Sequence, residues 1–183
     1  MLSQVKKIFT VLLFAMFFCC AYTAAALDNE KIIDLQHQDS LLPINSTQLL
    51  DLIEESESAL TLLNFWATWC DPCVEEFPDL VTLSKNHNPT ELRVIFVSTD
   101  FERSLPSVRQ FLDKQNLDLV SYYKSESDNT FINAMNPNWS GALPATFVYD
   151  NAGNKLEFWI GSRTLEELET IINKHLNANN KGK

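Results

Sequence analysis

Two cysteines separated by two residues are the strongest chemical signal in this sequence. Cys70 and Cys73 stand in the order Cys-Asp-Pro-Cys, shortly after an apolar run that ends at Trp66. A pair with this spacing can supply half of a tetrahedral zinc site, form a structural disulfide or carry out redox exchange. The other two cysteines, Cys19 and Cys20, lie near the amino terminus.

The rest of the sequence favours redox chemistry for this pair. A structural zinc site needs four ligands, but no second Cys-x-x-Cys motif is present, and His37, His87 and His175 follow no ligand spacing. A purely structural disulfide would close a very short loop and would gain little chain entropy. A cysteine pair at a strand-to-helix junction is typical of redox-active proteins.

The position of the pair predicts different roles for the two sulfurs. A helix is expected to begin at Asp71, so the free N–H groups and the positive end of its dipole would stabilise a Cys70 thiolate. Cys73 would lie on the same side of the first turn and would resolve the reaction. Pro72 suits a first helical turn because it has no N–H to lose. Trp69 would cover the pair with a flat apolar surface.

Acidic residues beside the cysteines bear on the direction of electron flow. Asp71, Glu75 and Glu76 lie within the first turns of the predicted helix. Negative charges disfavour a thiolate and therefore favour a reducing dithiol. Glu76 lies three residues after Cys73 and thus on the same helical side. If it is buried, its pKa would rise and it would exchange protons with Cys73.

Strands and helices alternate around this motif and predict an α/β protein with a mixed central sheet flanked by helices. Buried strands are expected where apolar runs are continuous, and helices where apolar residues recur on one side. The predicted strands are 61–66, 92–98, 117–123, 145–149 and 156–160, and the predicted helices are 47–57, 71–85, 105–116, 127–135 and 164–176, with Asn45 or Ser46 capping the first.

The amino-terminal segment has the pattern of an export signal. Two lysines precede an apolar run, and small residues end it, so residues 1–26 are predicted to be a cleaved signal peptide. An uncleaved anchor is the alternative, because residues 8–27 are long enough to span a bilayer. Either places the rest of the chain outside the cytoplasm, in the periplasm or its equivalent. Residues 27–44 are expected to form an extension with an edge strand near 32–35, residues 45–178 a single domain, and residues 179–183 a polar tail.

Composition excludes several classes of protein. The formal net charge is −10 and becomes −12 without residues 1–26, which carry two lysines and no acids. An acidic chain without a basic cluster argues against nucleic acid and against anionic membrane surfaces. Membrane contact is expected only through residues 8–27, if they are retained. The hydrophobic fraction of 45% excludes a disordered chain.

Two motifs resemble a known family. Residues 65–73 read Phe-Trp-Ala-Thr-Trp-Cys-Asp-Pro-Cys, and Glu-Phe-Pro follows at 76–78. This pattern is similar to the thioredoxin-like, extracytoplasmic thiol-disulfide oxidoreductases of the TlpA/ResA type. The stretch Gly-Ala-Leu-Pro-Ala-Thr-Phe at 141–147 agrees with it. The resemblance implies a thioredoxin fold with one helix–strand insertion between the Cys-x-x-Cys helix and the cis-proline strand, within residues 105–123.

The resemblance also implies roles for particular residues. In that family the proline at the position of Pro144 is cis and faces the cysteines, and a glutamate at the position of Glu76 is functional. No cofactor is implied beyond the redox-active Cys70–Cys73 disulfide. Leu143 and Pro144, together with Trp69, would form the surface on which an extended substrate docks. Trp139 would either line the same groove or pack in the core.

The expected function is reduction of disulfides in exported proteins, with re-reduction by a membrane electron donor. Cytochrome c maturation is a known role of the family, although the acid that often follows the cis-proline in that branch is replaced here by Ala145. A disulfide oxidase or isomerase remains an alternative, as does a binding module that uses the same groove without turnover. A peroxidase is disfavoured because a T-x-x-C-type loop is absent.

Overall fold

The computed structural model describes residues 41–117 and 119–181. The predicted signal segment, the predicted edge strand near 32–35, Cys19 and Cys20 lie outside the described residues. No helix in the described part of the chain is both long and apolar enough to cross a membrane. The strands are β1 (Leu41–Ile44), β2 (Leu60–Trp66), β3 (Leu92–Ser98), β4 (Ser121–Lys124), β5 (Ala145–Asp150) and β6 (Lys155–Ile160); the helices are α1 (Ser46–Glu54), α2 (Asp71–Asn86), α3 (Leu105–Lys114), α4 (Asp128–Met135) and α5 (Leu165–Lys181).

The strands form one mixed sheet in the order β1-β4-β3-β2-β5-β6. The first four strands in this order pair in parallel, while β5 runs antiparallel to both β2 and β6. The carboxyl ends of β2 and β3 therefore meet at one edge of the sheet, beside the amino end of β5. This arrangement confirms the predicted mixed sheet flanked by helices, and it decides which loops lie together.

The two faces of the sheet carry separate apolar clusters. On one face, Leu62 and Trp66 of β2 pack with α2, α3 and α5, and both cysteines belong to this cluster. On the other face, Leu63 and Phe65 pack with α1 and α4. Every residue of β2 is buried, because a strand covered by helices on both faces needs a continuous apolar run rather than alternation. Asn64 and Thr61 are its polar exceptions.

Phe77 is the aromatic centre of the face that carries the cysteines. Its ring centroid lies 4.7 Å from that of Trp66, 4.5 Å from that of Phe96 and 5.0 Å from that of Phe111. Phe77 is fully buried and comes four residues after Cys73 on α2. Its ring contacts therefore pack the beginning of α2 against the sheet.

The largest differences from the sequence-based prediction are at four elements. β1 lies in the segment predicted as an extension. It was not predicted as a strand because only Leu41 and Ile44 face inward, while the two residues between them are exposed. β4 begins at Ser121 rather than at 117, since Leu119 and Val120 are apolar but 40% and 47% exposed. α1 ends at Glu54 rather than at 57. α5 continues to Lys181, beyond the predicted end at 176.

Helix α1 begins as the sequence predicts. Asn45 is its N-cap, and its side chain accepts a hydrogen bond from the backbone N–H of Gln48 at 2.9 Å. The Gln48 side chain accepts in return from the Asn45 N–H at 3.0 Å. This reciprocal capping box satisfies two N–H groups that a helix start leaves free.

Candidate active site

Cys70 and Cys73 lie where β2 passes into α2. Cys70 is the N-cap of the helix and has extended backbone angles. The backbone N–H groups of Cys73 and Val74 donate to the Cys70 carbonyl, each at 3.0 Å, and the Cys70 N–H donates to the Ala67 carbonyl at 3.2 Å. The two sulfurs are joined in a disulfide with a Cα–Cα distance of 5.2 Å. The short loop and the helix start thus hold both sulfurs together.

The surroundings of the two sulfurs differ. Cys70 keeps 6% of its surface exposed and Cys73 only 1%, so the more accessible cysteine is the one assigned as nucleophile. Trp69 is 63% exposed, which makes it a surface beside the pair rather than a core residue. Asp71 and Pro72 are also exposed. Water screens the charge of Asp71, which weakens its influence on Cys70.

The loop before β5 reaches the same edge of the sheet. Ala145 lies opposite Phe65 in the β2–β5 ladder, so Pro144 is placed beside the end of β2, from which the cysteine loop departs. The Leu143–Pro144 peptide bond is cis, as the resemblance implies. Leu143 packs against the cluster that contains both cysteines. The Pro144 carbonyl accepts a hydrogen bond from the Gly161 N–H at 2.9 Å.

Trp139 belongs to the core and not to a groove. It is 3% exposed, and its ring stacks on Phe65 with centroids 4.8 Å apart. Its indole N–H donates to the Ala142 carbonyl at 2.9 Å. Trp139 therefore braces the loop that leads into the cis-proline, and of the two roles predicted for it the structure shows packing in the core.

Glu76 is a buried carboxyl group on the same helical side as Cys73. It is 3% exposed, and burial raises its pKa from 4.5 to about 7. The Arg163 backbone N–H, which donates to Oε1 at 2.9 Å, and the Arg163 charge act in the opposite direction. Oε2 has no hydrogen-bond partner in the described part of the chain. One carboxyl oxygen is thus anchored by a backbone N–H, and the other is not.

Asn64 lies near this carboxyl group on β2. Its side chain also lowers the pKa of Glu76, though less than burial raises it. Its amide donates to the Thr146 hydroxyl at 3.0 Å across the β2–β5 ladder. Asn64 does not titrate, so Glu76 is the titratable group at this position of the core.

Sequence reasoning missed two contributors to the site. Asp100 lies just after β3, and its carboxylate binds Thr68 in the loop before Cys70. Its signal was the polar triplet at 98–100, where an apolar strand ends. Arg163 binds Glu76 through its backbone N–H. No sequence signal identifies a backbone contact between residues 87 positions apart.

Gly141, in the loop before Pro144, is tightly packed. Its φ is +84°, and a Cβ there would lie 2.7 Å from Cδ1 of Ile132. Gly161 has a similar φ of +95° but open space around it. We expect Gly141→Ala to lower the free energy of unfolding by up to about 1 kcal/mol more than Gly161→Ala, because only the first must also displace Cδ1, the free end of the half-buried Ile132 side chain. Paired urea denaturation measures the difference; equal losses would contradict it.

A cavity of about 570 Å³ opens at the opposite end of the sheet. It is lined by residues at the amino ends of β2 and β3, including Ser58, Pro89, Thr90 and Arg93. Because β2 and β3 are parallel, this end is remote from the cysteines, which follow the carboxyl end of β2. The cavity therefore has no part in the cysteine site.

Comparison with known proteins agrees with this geometry. Residues 29–154 match the model of the AhpC/TSA family. The chain is 31% identical to the thioredoxin-like protein YneN of Bacillus subtilis over 118 residues, 64% of this chain and 65% of that protein. It is 30% identical to the thiol-disulfide oxidoreductase ResA of Oceanobacillus iheyensis over 129 residues, 70% of this chain and 62% of that protein. The chain thus spans less than two thirds of either relative.

Solved structures with the same fold include a thiol:disulfide interchange protein of the thioredoxin family from Chlorobium tepidum. It matches with a TM-score of 0.56 and 25% identity, covering 66% of this chain and 81% of that structure. A thiol-disulfide isomerase from Corynebacterium glutamicum matches with a TM-score of 0.57 at 15% identity, covering 67% of this chain and 84% of that structure. The predicted thioredoxin fold is therefore confirmed.

Proposed function

The chain belongs to the AhpC/TSA family, and from this premise we propose that it is an extracytoplasmic thiol-disulfide oxidoreductase that reduces disulfide bonds of exported proteins. The observation that carries the proposal is the Cys70–Cys73 pair at the start of α2, beside the cis peptide bond before Pro144. The similarity to proteins named thiol-disulfide oxidoreductases supports it. The export signal predicted over residues 1–26 supports the location.

The reaction proceeds by two thiol–disulfide exchanges. The Cys70 thiolate attacks one sulfur of the substrate disulfide, a Cys70–substrate bond forms, and the second substrate sulfur leaves as a thiolate. Cys73 then attacks the Cys70 sulfur, which forms the Cys70–Cys73 disulfide and releases the first substrate sulfur. Two electrons pass from the protein dithiol to the substrate. A dithiol donor at the membrane returns them to the cysteines and completes the cycle.

Proton transfer at the second exchange is assigned to Glu76. A buried Cys73 thiol must lose its proton before it attacks. The free Oε2 of Glu76 takes up this proton, while Oε1 stays bound to the Arg163 N–H. A pKa of about 7 suits this exchange, because a general acid–base group works best when its pKa lies near the working pH. The proton then passes to the departing substrate thiolate.

An extended substrate segment binds along the edge formed by Leu143 and Pro144. Main-chain hydrogen bonds of the kind that add a strand to a sheet hold it there. The exposed ring of Trp69 contacts apolar side chains beside the target disulfide. Precursors of cytochrome c belong to this substrate class, although Ala145, which follows the cis-proline, is fully buried between β2 and β6 and supplies no acid.

A redox titration of the reduced protein against glutathione tests the proposal. We expect a potential nearer to about −270 mV, typical of thioredoxin, than to about −120 mV, typical of strong periplasmic oxidants. We also expect the protein to accelerate insulin reduction by dithiothreitol. A potential near the upper value would favour the oxidase or isomerase alternative. Failure to form or exchange the Cys70–Cys73 disulfide at all would favour a non-catalytic binding module.

A further inference from the structure

A buried carboxylate binds the loop that precedes Cys70. Asp100 is 3% exposed. Its Oδ1 accepts the Thr68 hydroxyl at 2.6 Å, and its Oδ2 accepts the Thr68 backbone N–H and the Ser98 hydroxyl, each at 2.9 Å. Three donors from two residues are thus directed at one carboxyl group. No ion pair with a lysine, arginine or histidine is found for Asp100 among residues 41–117 and 119–181.

The end of β3 and the cysteine loop are tied at a second point. The Thr99 N–H donates to the Trp66 carbonyl at 2.8 Å, and the Ser98 hydroxyl accepts the Asp100 N–H at 3.1 Å. Thr68 lies two residues before Cys70, a separation of at most about 7 Å along the backbone. The Asp100 carboxylate is therefore within roughly 10 Å of the Cys70 backbone and is held there by short hydrogen bonds.

We propose that Asp100 is a positioning residue of the dithiol reaction. Its side chain holds the Trp66–Cys70 loop in place. Its buried negative charge disfavours the Cys70 thiolate, so that the cysteine pair becomes a stronger reductant. The inference rests on the proposed function and deepens it. A less stable thiolate means a less stable reduced form, and a dithiol with a less stable reduced form gives up electrons more readily.

Asp100 shares its burial with Glu76 and differs in this from the exposed charged groups around Cys70. Asp71, Glu75, Glu102 and Arg103 are exposed, so water and salt screen them. Glu76 is buried, but its Oε1 binds the Arg163 N–H and it lies beside the Arg163 charge. A buried charge acts through a lower effective dielectric constant than an exposed one. Asp100 therefore supplies a buried anion near Cys70 that solvent screens less than the exposed groups and that forms no ion pair within the described residues.

The test is the pH dependence of Cys70 alkylation in the reduced full-length protein. We expect Asp100→Asn, which removes the charge and keeps the shape, to lower the pKa of the Cys70 thiol. The thiolate fraction below that pKa should rise by on the order of tenfold. The equilibrium with glutathione should shift towards the reduced protein, most clearly above the pKa of Cys70. The matched control Asp71→Asn, one residue from Cys70 but exposed, should give a smaller shift.

Thr68→Ala separates the charge of Asp100 from its structural contribution. It removes the 2.6 Å hydroxyl contact and retains the carboxylate, so we expect no fall in the pKa of Cys70. An unchanged or raised pKa in Asp100→Asn, or an equal fall in Thr68→Ala, would overturn the inference. Failure of the wild-type protein to reduce insulin would count against the proposed function instead, because alkylation reports on the Asp100 effect without turnover.

Discussion

Replacing Cys70 by serine is expected to abolish disulfide reduction, with a loss of at least about a thousandfold. A serine hydroxyl cannot form the mixed disulfide, and the other cysteine of the described residues, Cys73, is more deeply buried than Cys70. Insulin reduction and exchange with glutathione measure the loss. Retention of more than a few per cent of the activity would contradict the assignment of Cys70 as the nucleophile.

Replacing Cys73 by serine should stop the reaction at its midpoint. Cys70 still attacks, but no second sulfur releases the substrate, so the mixed disulfide accumulates. The variant, expressed full-length, is purified without reductant, and partners bound through Cys70 are identified by mass spectrometry. Cys70→Ser/Cys73→Ser is the matched control and should trap nothing. Equal trapping by both variants would contradict the covalent mechanism.

Replacing Glu76 by glutamine is the second large change that we expect. Gln keeps the carbonyl oxygen that accepts the Arg163 N–H but cannot take up the Cys73 proton. General acid–base groups contribute roughly 10²- to 10⁴-fold, so resolution of the mixed disulfide should slow by a factor in this range near pH 7. Stopped-flow tryptophan fluorescence follows that step. An unchanged rate and an unchanged Cys73 pKa would remove Glu76 from the mechanism.

The same substitution should stabilise the oxidised protein above neutral pH. Burial raises the pKa of Glu76 from 4.5 to about 7, so the folded protein binds more protons than the unfolded chain between these values. Stability therefore falls as pH rises through this window, by about 3 kcal/mol in total. Glu76→Gln removes this dependence, and its melting temperature at pH 8 should exceed that of the wild type by roughly 5–10 °C.

Glu75→Gln is the matched control for both effects of Glu76→Gln. Glu75 precedes Glu76 on the same helix and carries the same charge, but it is exposed. Its replacement should change neither the resolution rate nor the slope of stability against pH by a comparable amount. Equal behaviour of the two variants would mean that helix charge, and not the buried carboxyl group, governs both properties. A residue that reduces stability while it serves the reaction is common in active sites.

Much of the framework of the fold could be predicted from local patterns. The continuous apolar runs of β2 and β3 predict strands covered on both faces, and the structure has them within one residue of the predicted bounds. Asn45 was one of two predicted caps and is the observed one. β1 could not be predicted, because the burial of its four residues depends on their pairing with the distant strand β4. Its inward-facing pair, Leu41 and Ile44, encloses two exposed residues.

The redox chemistry proposed for the protein follows from local spacing in the sequence. The spacing of Cys70 and Cys73 at a strand-to-helix junction predicts a redox pair, since helix geometry over three residues is a local property. The spacing of Glu76 from Cys73 likewise puts both on one helical side. These inferences need no knowledge of which segments meet in space.

The surroundings of the cysteines, in contrast, depend on contacts that form only in the folded chain. Glu76 has a pKa of about 7 because α2 packs on the sheet and removes its carboxyl group from water, while the Arg163 N–H arrives from a distant loop. Asp100 binds Thr68 because parallel β2 and β3 end at the same edge of the sheet. Desolvation and contacts between distant segments depend on the packed chain, and no local pattern encodes them.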